Sequence, residues 1–148
     1  MARYLQGKFR PKNPQKYRGD PTNIIYRSSW ELKFLMYLDA HPYVLEYGSE
    51  EVVIPYRSPI DGKIHRYFTD MIVKKKNHSD GKIETCLIEI KPKAQTKPPK
   101  TQPKPTKRYI TEVKTWGVNS AKWQAAQVYC NDRNWKFMIL TEDDLGIK

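Results

Sequence analysis

The spacing of apolar positions changes twice along the chain, and the changes predict its elements. Residues 1–23 carry little hydrophobic period; Lys, Arg, Pro and Gly with the turn signals "NP" and "RGDP" predict a basic arm. From Ser28 onward Trp30, Phe34, Leu35 and Leu38 recur at helical spacing, Ser28 or Ser29 can cap the start, and His41-Pro42 ends it, which predicts a helix over Ser29–Ala40. The period then shortens to that of strands. "EEVVIPY", "IHRYFTDMIVKK" and "KIETCLIEIK" are β-branched and aromatic, and "SPIDGK" and "NHSDGK", each with Asp-Gly, separate them, so an antiparallel meander of three strands is expected. The pattern vanishes in residues 92–106, "PKAQTKPPKTQPKPT", whose proline density predicts an extended Pro/Lys-rich loop within the domain. Helical spacing resumes over Thr106–Trp116, Gly117 is expected to break it, Ser120 to cap a further helix to about Asn131, and Lys136–Leu140 reads as a last strand. A strand that returns after a helical crossover usually pairs parallel, so the fold class expected is α/β with a mixed sheet.

Composition narrows the function. At 148 residues the chain fits a single domain, 1–148. A net charge of +11 favours a polyanionic partner, most simply nucleic acid, although a ribosomal or membrane surface fits the charge equally well. No run approaches the ~18 apolar residues of a membrane span, and "MARYLQGKFRPK" lacks the apolar stretch of a signal peptide, so an intracellular protein is expected. Cys86 and Cys130 sit in apolar contexts without CxxC spacing and are expected to be reduced core thiols, not zinc ligands or a disulfide. His65 and His78 lie near turns and are expected to face solvent.

Charge inside the strands suggests chemistry. In "CLIEIKP" alternation puts Leu87, Glu89 and Lys91 on one face and Ile88 and Ile90 on the other, with Glu89 and Lys91 roughly 7 Å apart at the Cα level. Asp70 in "RYFTDMIV" is again a lone acid in an apolar run, and pairing through the "NHSDGK" turn would set it beside Glu89 at the sheet's end. Two such carboxylates repel and burial raises their pKa values, unless a divalent cation lies between them. Oxygen ligands without histidine suit Mg²⁺ or Mn²⁺. A cation there can polarise a phosphodiester and acidify a water, and Lys91 can position that water and stabilise developing charge. Glu31 in "SSWELKF" is placed to face the same cleft. Plainer readings stand beside these: a solvated strand face for Glu89 and Lys91, a strand-end turn acid for Asp70, and helix capping for Glu31.

At these residues the chain resembles a known family. Asp70 followed by Glu89-Ile90-Lys91 is similar to the D…(D/E)xK motif of restriction-endonuclease-like nucleases, with Glu31 where many members carry a helix acid, and the element order is similar to their αβββαβ core. Thr69 stands where that motif usually has proline. Nearly the whole chain, through "PKNPQKYRGDP", "YRSSWELKFL", "YGSEEVVIPY", "RYFTDMIV", "IEIKPK", "VNSAKWQAAQ" and "ILTED", resembles the head completion nucleases of T-even-like tailed phages. Related cores occur in the endonuclease subunit of heteromeric transposases. The resemblance implies a metal-dependent deoxyribonuclease, an endonuclease with exonuclease action left open, whose catalytic residues are Asp70, Glu89, Lys91 and Glu31 and whose metal ligands are Asp70 and Glu89. It implies action on packaged double-stranded DNA before head-tail joining, beside head, portal or neck proteins, in the host cytoplasm or the virion, with no membrane and no small-molecule cofactor.

The basic segments complete the expectation. Lys93, Lys97, Lys100, Lys104 and Lys107 in the loop, with Lys8, Arg10, Lys12, Lys16 and Arg18 in the arm, are either solubilising charge or phosphate contacts, and their clustering in two segments flanking the site favours contacts that read no bases. Lys122 and Gln127 on the later helix are candidates for the DNA-facing surface. Two rivals remain: a non-catalytic DNA-binding or head-joining structural protein, and an RNA-binding protein.

Overall fold

The computed structural model describes residues 4–146. Helix α1 spans Ser29–Ala40 as the spacing predicts; the Ser28 hydroxyl oxygen accepts from the Glu31 N–H at 3.1 Å, and Trp30, Phe34, Leu35 and Leu38 are buried.

Residues 4–23 do not form a simple arm, and residues 1–3 of the expected arm lie outside the described residues. Strand β1 (Tyr4–Phe9) pairs antiparallel with β2 (Ile24–Ser28), and Phe9, Tyr17 and Ile24 enter the core. Between them the chain is tied to the end of α1: buried Asp39 accepts from the Lys12 and Asn13 N–H groups and the Tyr47 hydroxyl. Lys16 Nζ donates to the Leu38, Asp39 and His41 carbonyls at 2.8–2.9 Å, satisfying a helix C-terminus with a cation. Lys16 is thus engaged inside the fold. The composition of this stretch hid three apolar anchors that have no regular spacing.

A strand absent from the expected set, β3 (Val44–Ser49), follows α1 and buries Val44, Tyr47 and Gly48. Nor do the next three strands form one meander. β4 (Val53–Arg57) and β5 (Ile64–Phe68) make a separate hairpin, and the run expected to be one strand breaks at Thr69-Asp70 before β6 (Met71–Lys76). The cause is local: the Thr69 N–H and hydroxyl both donate to the Val52 carbonyl, at 3.2 and 3.1 Å, pinching the hairpin off where the chain changes sheets.

The main sheet is mixed, in the order β3-β6-β7-β8, with β7 at Ile83–Ile90 and β8 at Lys136–Leu140; its first two pairings are antiparallel and β7 with β8 is parallel. After a short 3-10 turn at Lys93–Thr96 the Pro/Lys-rich loop leads to helix α2 (Lys107–Arg133), capped by the Thr106 hydroxyl. Gly117 does not break this helix. A mid-helix glycine costs only ~1 kcal/mol, and burial of Asn119, Ala126 and Cys130 along the same helix outweighs it. Pro59 Cγ of the hairpin turn lies 3.7 Å from where a Cβ would sit, an ordinary contact distance that a small side chain could also make.

Two cores flank the sheet. Leu35, Leu38, Met71, Val73, Cys86 and Ile88 pack on the α1 side, and Ile54, Tyr56, Tyr67, Ile72, Leu87, Ala126 and Cys130 on the α2 side. Both cysteines are buried free thiols, and His65 and His78 are exposed. The architecture is mixed α/β of the restriction-endonuclease-like kind. Among the described residues no helix is long and apolar enough to cross a membrane.

Candidate active site

One end of the sheet gathers the charged side chains. Glu31 enters from the first turn of α1, Asp70 from the break between β5 and β6, Glu89 and Lys91 from the end of β7, and Lys122 from α2. Alternation along β7 is as the sequence predicts: Leu87 packs on the α2 side and Ile88 on the α1 side.

Asp70 is fixed by backbone. Its Oδ2 accepts the Ile90 N–H at 2.7 Å, while the Lys91 N–H donates to the Leu140 carbonyl at 2.9 Å, so two strands hold the residues on either side of Ile90. Burial pushes the Asp70 carboxyl up to about 6; the Ile90 hydrogen bond opposes this, Glu31 and Glu50 raise it further, and Lys91 draws it down. Glu89 is 5% exposed. Burial pushes it up to about 7 against the pull of Lys91 and Lys122, and Glu31 again adds to the rise. The two acids therefore share neighbours on both sides of the charge balance.

Aromatic groups on the α2 side supply Glu89 with donors. The Tyr67 hydroxyl donates to its carboxylate. The buried Trp123 indole N–H approaches it closely enough to favour the charged form, but makes no geometrically sound hydrogen bond there or elsewhere. Lys122 Nζ sits 5.5 Å from the Tyr67 ring centre and 5.8 Å from that of Tyr56, held over two aromatic faces beside Glu89. Tyr67 escapes a reading of the sequence because a buried aromatic in a strand reads first as core, whereas Trp123 on the later helix admits either a core or a DNA-facing reading.

Glu31 has two roles at once. Its Oε2 accepts the Arg27 N–H at 3.0 Å, the capping arrangement considered as the plainer reading, and its charge acts on both Asp70 and Glu89. Burial raises its own pKa. Glu50, in the left-handed region at φ 54°, pairs with Arg27 and adds negative charge near Glu31 and Asp70.

The expected DNA contacts divide. Lys97, Lys100, Lys104 and Lys107 are exposed and carry no ion pair among the described residues, and Arg10 and Lys12 are exposed as well. Lys93 instead pairs with Asp143 at 3.0 Å, and its N–H donates to Glu142. Gln127 is exposed and donates to Asn131.

The carboxylates at this end of the sheet, Asp70 and Glu89, offer oxygen donors of the kind a hard cation takes. Among the described residues no three or more His, Cys, Asp or Glu side chains are grouped to hold a metal ion, so an ion there would need water or substrate oxygens to complete its shell. Two buried carboxylates destabilised by burial suit an oxygen-seeking ion that keeps several of its waters, as Mg²⁺ does.

The sequence model of the TnsA-like endonuclease N-terminal domain matches residues 41–142. The chain belongs to the TnsA-like endonuclease family. Asp70, Glu89, Lys91, Lys122 and Trp123 fall inside the matched span, and Glu31 precedes it. The chain is also 47% identical over 143 residues, 94% of its length and 92% of the relative's, to the head completion nuclease of Enterobacteria phage T4. Family membership agrees with the mixed sheet seen here.

Proposed function

We propose that the protein is a metal-dependent deoxyribonuclease that hydrolyses phosphodiester bonds with little sequence specificity, acting on packaged phage DNA during head completion, before head-tail joining. The observation that carries this reading is the convergence of Asp70, Glu89 and Lys91 at one sheet end in a TnsA-like endonuclease chain. Asp70 and Glu89 are the residues that would hold Mg²⁺ or Mn²⁺, which when bound supplies Lewis-acid polarisation of a phosphoryl oxygen and acidifies a water. Lys91 orients the attacking water and stabilises charge developing on the phosphoryl oxygens. Lys122 stands on the far side of Glu89 and adds positive charge toward the phosphate. Glu31 positions rather than reacts: it caps α1 through Arg27 and biases the protonation of both metal-binding acids.

Exposed lysines in a proline-stiffened loop support phosphate contacts that read no bases. Work at the head, beside portal or neck proteins in the infected cell, belongs to the same reading, and the similarity to the head completion nuclease of phage T4 supports it. The test is cleavage of supercoiled and linear plasmid with Mg²⁺, Mn²⁺ or EDTA, beside folded Asp70→Ala and Lys91→Ala variants. Metal-dependent nicking lost in both variants supports the reading. Salt-sensitive DNA binding without cutting under any condition would replace it with a structural head-joining role.

A further inference from the structure

The β4-β5 hairpin has a face that the core does not use. Ile54, Tyr56 and Tyr67 turn toward α2 and are buried. Register pairs Val53 with Phe68, Pro55 with Arg66 and Arg57 with Ile64, so these six side chains share the opposite face. On it Val53, Ile64 and Phe68 are 39%, 59% and 47% exposed, and Ile60 at the turn is 54% exposed. The Arg66 guanidinium lies 5.5 Å over the Phe68 ring.

Apolar exposure of this kind marks a contact surface, and its charge selects the partner. The six-residue face has two arginines and no acid, Lys63 follows at the turn, and the ribbon's acid, Asp61, is engaged by His65 at 2.8 Å. Position selects it too. The chain passes directly from Phe68 through Thr69 to Asp70, and the neighbouring Tyr67 holds Glu89. β-ribbons and sheet faces bind DNA through the major or the minor groove, and arginines beside apolar wedges are the chemistry of minor-groove binders that unstack base steps and open the groove.

We propose that this face of the hairpin enters the minor groove of the duplex being cut, with Phe68 wedged between base pairs and Arg57 and Arg66 on the flanking phosphates. The proposal rests on the nuclease reading and deepens it. Kinking next to the scissile bond exposes the phosphodiester to Asp70 and Glu89, and it favours deformable pyrimidine–purine steps without reading any base.

The test uses full-length protein in EDTA and a duplex carrying 2-aminopurine, whose fluorescence rises on unstacking. Wild type is expected to raise it. Phe68→Ala is expected to abolish the rise and weaken binding about tenfold, the scale of a lost aromatic–base contact. Phe68→Leu restores part of the rise, because leucine also wedges. Arg57→Ala and Arg66→Ala each shallow the dependence of log affinity on log salt by about 0.9. Phe68 is half exposed, so the variants keep the wild-type melting temperature. A Phe68→Ala variant that unstacks and binds like wild type overturns the proposal and turns the face toward a protein partner. Cleavage in Mg²⁺ without any unstacking overturns the ribbon and leaves the nuclease standing, whereas wild type that neither binds nor cuts DNA overturns both.

Discussion

Replacing Glu89 by Gln asks whether an acid stands in this core strand at the expense of stability. Glu89 is 5% exposed, and burial lifts its carboxyl from 4.5 to about 7. At about 1.4 kcal/mol per tenfold change in proton affinity, that rise corresponds to a destabilisation of about 3 kcal/mol once the group is ionised. The sign follows from linkage. The folded state binds this proton more tightly than the unfolded chain, so the cost is complete above about pH 7, shrinks as pH falls, and is gone below about 4.5. Glutamine keeps an acceptor for the Tyr67 hydroxyl and carries no charge, and the pull of Lys91 and Lys122 is already contained in the value of about 7, so the expected gain at pH 8 is about 3 kcal/mol. Urea unfolding in EDTA at pH 8 and pH 5 reads it: Glu89→Gln should be more stable than wild type at pH 8 and nearly equal at pH 5. The same variant should lose metal-dependent cleavage by about 100-fold or more. A variant less stable at pH 8, or one with the same gain at both pH values, would refute the reasoning.

Three further outcomes are expected. Lys97, Lys100, Lys104 and Lys107 changed together to Ala should shallow the slope of log affinity against log salt by about 3 to 4, and an unchanged slope removes the loop from the interface; Lys93→Ala alone should change little, because Asp143 already engages its ammonium. Mg²⁺ affinity measured calorimetrically should fall as pH drops from 8 through the values of about 7 and about 6 for Glu89 and Asp70, since protons then compete for both carboxylates; a flat profile would place the ion elsewhere. Asp39→Ala should destabilise the fold by about 3 kcal/mol, seen as a lowered urea midpoint, because the Lys12 and Asn13 N–H groups and the Tyr47 hydroxyl lose their shared acceptor.

What could be read from the sequence was what local period and local chemistry decide. The α1 boundaries follow from one cap and four apolar positions, and the side each β7 residue faces follows from alternation, which is why Glu89 and Lys91 were found. What escaped depends on partners distant in the chain. Phe9, Tyr17 and Ile24 become core only because Asp39 and the end of α1 receive the segment between them. The break at Thr69 is made by Val52, 17 residues away, and no turn signal marks it. Gly117 reads as a breaker, yet the helix runs through it because burial of Asn119, Ala126 and Cys130 along α2 outweighs a glycine's modest cost.

On the proposed function, the same long-range bonds would let the site be accurate and unselective together. Asp70 takes its place from the Thr69–Val52 pinch on one side and the Ile90 N–H on the other, and Lys91 from the β8 backbone, so the groups nearest the chemistry ride on paired strands. Sites built on such elements hold reacting groups to within fractions of an ångström. The lysines expected to meet phosphate lie on an exposed loop and reach it as point charges, with no fixed geometry toward a base edge. On that reading strand-borne groups would fix where a captured backbone is cut, while the loop would leave open which sequence is captured. A nuclease built this way would choose its substrate by whether a duplex can be deformed into the cleft, not by what the duplex encodes.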